Sequence, residues 1–88
     1  MSQTGVFNSN ESLDISTFYE MSIFCNMDEF MMLNNKPNIF VSNDSSNWFL
    51  YRYLNSSYMY LSDLMANYIK ITQCPEEITF NYNANLKK

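Results

Sequence analysis

The chain has 88 residues, a formal net charge of −4, no histidine and one glycine, alongside thirteen asparagines, seven tyrosines, seven phenylalanines and seven methionines. Its length supports one core and one domain, and its apolar and aromatic content is high enough for folding without a metal or a disulfide. Lacking histidine, it lacks the commonest metal ligand and the side chain best suited to proton transfer near neutrality; with one glycine it carries no glycine-rich phosphate loop.

Residues 1–12 read as a flexible arm, because only Val6 and Phe7 offer apolar surface to bury. The first ten have neither the basic start nor the apolar run of a secretory signal, so the expectation is a cytoplasmic protein with Cys25 and Cys74 reduced. Residues 13–84 form the domain. Thr17, Tyr19, Met21, Ile23 and Cys25 alternate with Phe18, Glu20, Ser22 and Phe24, which predicts a strand. In the rival helical reading Thr17 and Glu20 make a capping box. Asn26 reads as the N-cap of a short helix over residues 27–33, with Asp28 and Glu29 in its first turn and Pro37 beyond its end.

Residues 38–42, a polar turn over 43–47 and residues 48–54 then give the clearest hairpin in the chain. Phe49, Tyr51 and Tyr53 fall on one face of its second strand and Trp48, Leu50, Arg52 and Leu54 on the other, so both faces carry large apolar groups. Residues 58–71 predict the longest helix, with Leu61, Leu64, Met65, Tyr68 and Ile71 at helical spacing and Ser62, Asp63, Asn67 and Lys70 opposite. Pro75 breaks it, Glu76 and Glu77 form a charged turn, and Ile78, Phe80 and Tyr82 alternate as a last strand. Residues 85–88 read as a frayed tail. The resulting expectation is a single small α+β domain, an antiparallel sheet of three or four strands with two helices packed on one face, in an order compatible with a ferredoxin-like βαββαβ arrangement. If residues 17–33 are one helix, the order becomes αββαβ.

The inventory speaks against an enzyme. A nucleophilic Cys or Ser has no histidine beside it, and the adjacent pairs Asp28–Glu29 and Glu76–Glu77 diverge by about 100° on a helix and do not converge on one centre. No metal or cofactor is expected. Five basic residues spread along the chain do not make the electropositive track that nucleic acid needs, so no direct nucleic-acid contact and no membrane are expected either.

Residues 1–35 hold Glu11, Asp14, Glu20, Asp28 and Glu29 and no Lys or Arg, a field that favours a basic partner. Tyr51, Arg52, Tyr53, Tyr58 and Tyr60 are of the types enriched at the centres of protein interfaces. The abundance of Asn, Lys, Tyr, Ile and Phe over Gly, Ala, Pro and Arg points to an AT-rich genome, and so Asn is discounted as a recognition signal. A small acidic, aromatic-rich chain of this kind resembles phage or viral accessory proteins that block host factors. That resemblance implies an inhibitor whose five acidic residues occupy a basic, nucleic-acid-binding surface of a host protein while the aromatic cluster and Arg52 anchor it. Two alternatives remain open: a structural homodimer in which the aromatic excess is internal, and a protein that sequesters a nucleotide, with Arg52 or Lys70 on its phosphate.

Overall fold

A computed structural model describes residues 1–62, 64–74 and 76–88, and of Glu29 the backbone. In chain order the elements are β1 (Ser2–Asn8), β2 (Leu13–Asp14), β3 (Phe18–Phe24), α1 (Glu29–Asn35), β4 (Asn38–Ser42), β5 (Phe49–Tyr53), β6 (Tyr58–Leu61), β7 (Tyr68–Thr72) and β8 (Thr79–Leu86). They form two four-stranded antiparallel sheets, sheet A in the order β1-β8-β3-β6 and sheet B in the order β2-β7-β4-β5. The α+β expectation of two helices on one sheet is therefore replaced by a mostly β, two-layer protein with one short helix. Except at the β4–β5 hairpin, the chain crosses from one sheet to the other between every consecutive pair of strands.

The alternation of side chains explains the layers. In β8, Phe80, Tyr82 and Ala84 are buried while Thr79, Asn81, Asn83 and Asn85 are exposed. Met21 and Ile23 of β3, Met59 and Leu61 of β6, Ile39 of β4 and Ile69 and Ile71 of β7 bury in the same way, and all belong to one hydrophobic cluster shared by the two sheets. The shortest dimension of the molecule, 19 Å, suits two sheets packed about 10 Å apart. Each large side chain fully buried there contributes roughly 1.5–3 kcal/mol. Phe7 and Phe80 stack at 5.3 Å inside this layer, and Phe18 meets Tyr82 at 5.6 Å.

The longest predicted helix is the largest correction. Its residues include β6 and most of β7, because Met59/Leu61 and Ile69/Ile71 bury at a spacing of two, the period of a strand. The strand predicted by the alternation of residues 17–25 is present as β3, Phe18–Phe24, with a bulge at Tyr19. The helix α1 begins two residues later than expected: Asp28, not Asn26, is its N-cap, and its carboxylate accepts the N–H of Met31 at 2.8 Å. Residues read as an arm form β1, paired with β8 over its whole length, and β8 itself runs to Leu86, into the expected tail. Asp63 and Pro75, read respectively as an outer position of the longest helix and as its breaker, lie outside the described residues.

A chain with one glycine places other residues in left-handed backbone: Asn10, Lys36, Ser45 and Gln73 have φ between 47° and 69°. Gly5 is not among the residues with positive φ. Its role is space, since a Cβ there would sit 2.6 Å from the hydroxyl of Tyr82, directly opposite in the sheet.

Candidate functional site

The outer face of sheet A is an ordered, exposed surface. The register aligns Val6, Asn81, Phe24 and Tyr58 in one row across the four strands, and Thr4, Asn83, Ser22 and Tyr60 in the next. Glu20 and Asn85 pair in the row beyond. Phe24, Tyr58 and Tyr60 are each 40–51% exposed, and the rings of Phe24 and Tyr58 meet at 5.0 Å. Strand alternation puts these residues here: their neighbours Ile23, Met59 and Leu61 go into the core, so the rings must face water.

Hydrogen bonds fix the surface laterally. The Tyr60 hydroxyl donates to Glu20 Oε2, Asn85 Nδ2 donates to Glu20 Oε1 at 2.6 Å, and Ser22 Oγ lies 3.3 Å from the Tyr58 hydroxyl. The Tyr60 hydroxyl, and after it the Asn85 amide, hold the Glu20 carboxyl below its ordinary range, so it is ionised at neutral pH. Glu20 is the one charged residue in the four strands of sheet A. With both its oxygens accepting bonds, it anchors the surface and is poorly placed to take a proton from a substrate.

The expected acidic group is dispersed. Glu11, in the turn after β1, accepts the N–H of Asn8 at 2.7 Å. Asp14 is in sheet B, where the hydroxyl and N–H of Ser16 lower its pKa. Glu20 is in sheet A, Asp28 caps α1 and Glu29 opens it. These positions fall in both sheets, a turn and a helix start, and Glu11, Asp14, Glu20 and Asp28 each satisfy local N–H or O–H groups.

The expected aromatic cluster is also divided. Tyr58 and Tyr60 belong to sheet A, whereas Tyr51, Arg52 and Tyr53 belong to β5 at the edge of sheet B. Tyr51 is half-buried against the core, and the Arg52 guanidinium lies 5.1 Å from the centre of its ring. Lys70 of β7 sits 4.2 Å over the Trp48 ring, a cation–π contact that occupies the second cation considered for a phosphate. Structure thus joins Glu20 to Tyr58 and Tyr60, and adds Ser22, Phe24, Asn81, Asn83 and Asn85. The alternating Asn81, Asn83 and Asn85 carried a signal in the sequence, hidden by the attribution of asparagine to codon bias.

Burial, and after it the neighbouring Cys25, pushes the Cys74 thiol up to about 11, so it stays protonated near neutrality. Among the described residues no group of three or more His, Cys, Asp or Glu side chains is placed to hold a metal ion, and no helix is long and apolar enough to cross a membrane. Comparison of the chain with protein-family models, with curated proteins and with solved structures finds no match in any of the three.

Proposed function

We propose that this chain is a non-catalytic protein-binding domain and that the outer face of sheet A is its recognition surface. The observation that carries the reading is the row structure of that face: three half-exposed rings, Phe24, Tyr58 and Tyr60, are held on adjacent strands beside Ser22, Asn81, Asn83 and Asn85. Tyr supplies large, rigid contact area at low entropic cost, and Ser and Asn supply adaptable hydrogen bonds, the combination that binding surfaces of antibodies use. A rigid sheet beneath them means little ordering is needed on association.

The ionised Glu20 and the net charge of −4 favour a partner whose facing surface is neutral to basic. This keeps the idea of an inhibitor directed at a basic host surface, but rests it on Glu20 with Tyr58 and Tyr60 in place of five gathered carboxylates.

The test compares the native protein with a Phe24→Ala/Tyr58→Ala/Tyr60→Ala variant, both immobilised, in lysate of cells in which the protein functions, at low and high salt. A protein retained by the first and lost by the second, with the variant's circular dichroism unchanged, is the expected result. Equal capture by both, or capture by neither, overturns the reading.

A further inference from the structure

Strand β5 is the edge of sheet B, and none of its five residues is buried. Phe49, Leu50 and Tyr53 are 48–66% exposed. Among the described residues no strand pairs with its outer side, which leaves a row of backbone donors and acceptors open beside apolar side chains, the arrangement that templates pairing with another strand. The other edges are different. β2 has two residues, β1 presents Ser2, Gln3 and Thr4 with Val6 as its one large exposed apolar group, and β6 turns Met59 and Leu61 inward while its exposed Tyr58 and Tyr60 are tethered through their hydroxyls to Ser22 and Glu20 of β3.

From this edge we infer that the protein forms a two-fold symmetric homodimer in which β5 pairs antiparallel with β5 of a second copy, joining the two B sheets into one of eight strands. Three features select a second copy as the occupant. First, the sequence of β5 is compatible with itself: an axis through Tyr51 sets Phe49 opposite Tyr53 and Leu50 opposite Arg52 of the second copy. Arg52 is the only charge in the strand, and this register keeps the two guanidinium groups from facing each other. Second, the bulge that makes Tyr51 the extra residue against β4 lies on the same axis, so both strands bend equally. Third, the exposed area is of the order an interface needs. Phe49, Leu50 and Tyr53, with Leu33 across an open groove of about 550 Å³ also lined by Met32, Lys36 and Leu54, expose roughly 500 Å² of side-chain surface. Arg52 and the strand's backbone edge bring the total towards the about 800 Å² per partner of a standard interface.

The pairing is independent of the surface on sheet A, which stays open in both copies and becomes bivalent. Sedimentation of the native protein at a concentration on the order of 100 μM is expected to give twice the chain mass, and Leu50→Asp is expected to return it to the chain mass with an unchanged circular dichroism spectrum. A native protein that sediments as a monomer at that concentration overturns the inference, as does a Leu50→Asp variant that remains dimeric. Should that variant not fold, hydrogen exchange on the native protein decides: amides of residues 49–53 slow as concentration rises if β5 pairs, and a rate independent of concentration rules the pairing out. Retention of the Phe24/Tyr58/Tyr60-dependent partner by monomeric Leu50→Asp separates failure of one surface from failure of the other.

Discussion

On the outer face of sheet A, Tyr60 and Tyr58 of the edge strand β6 engage Glu20 and Ser22 of the neighbouring β3 through their hydroxyls. On β5 the exposed Phe49 and Leu50 have no polar atom to tether them, and the backbone beyond them is open on one side. Both regions show apolar rings to water, yet the first is a finished surface and the second an unfinished sheet. A finished surface recognises a partner through side chains, whereas an open edge recruits one through its main chain. The difference lies in polar satisfaction, not in hydrophobicity.

The largest expected effect falls on what the two regions share. Phe80 is fully buried between the sheets and stacked on Phe7, so Phe80→Ala should lower stability by about 3–5 kcal/mol, read by urea unfolding. A loss well below that range would mean that the sheets are held chiefly by something other than this layer, and the two surfaces could then no longer be treated as mounted on one rigid core.

The next effect separates the sheets. Gly5→Ala drives a Cβ towards the buried Tyr82 ring, whose hydroxyl accepts a hydrogen bond at 3.2 Å from Gln3 Nε2. Overpacking of this kind costs about 1–3 kcal/mol. It should raise hydrogen exchange in the edge strand β1 and its neighbour β8 more than in β4 and β5, and uniform loosening of both sheets would contradict the comparison. A smaller effect, of opposite sign, belongs to the β5 side. Ser45 turns the β4–β5 hairpin at φ 61°, with its N–H on Ser42 Oγ at 2.9 Å. Ser45→Gly keeps that N–H and removes the left-handed strain, for an expected gain of about 0.5–1 kcal/mol, with thermal unfolding as the measurement. An unchanged or lowered midpoint would show that the turn is not strained.

The sequence discloses one region and conceals the other because of particular residues. The β4–β5 hairpin is legible because apolar runs flank Asn43–Asn47, where Asp44 accepts the N–H groups of Ser46 and Asn47 at 2.9 and 2.8 Å. The strands β6 and β7 are not, because residues 58–71 satisfy a period of two and a period of 3.6 together, and no Gly or Pro between Leu61 and Tyr68 marks the crossover. β1 is concealed for another reason: as an edge strand with Gly5 and Gln3 facing Tyr82 it shows little apolar alternation. The sequence named Glu20, Tyr58 and Tyr60, but only strand pairing between β3 and β6 brings residues 40 positions apart into contact. Composition likewise counts carboxylates without showing that Glu11 and Asp28 are consumed by local N–H groups.

The smallest expected effect tests whether the sheet A surface is finished in the sense argued above. Glu20 has its pKa lowered from 4.5, chiefly by the Tyr60 hydroxyl. A carboxyl whose folded pKa lies below its unfolded value stabilises the fold fully above the unfolded value, and that stabilisation disappears as pH falls through the lower folded value. Tyr60→Phe removes the main cause and moves Glu20 back towards 4.5. The difference in Tm between native protein and variant should therefore be present at neutral pH and shrink as pH falls below 4.5. Asp44 and Asp14, whose pKa values are also lowered by hydrogen bonds, are unaltered in the variant and so leave the difference untouched. A Tm difference that stayed constant with pH would mean that the Tyr60 hydroxyl acts by packing alone; Glu20 would then be a solvated carboxylate, and the contrast between a tethered face and an open edge would rest on Ser22 and Tyr58.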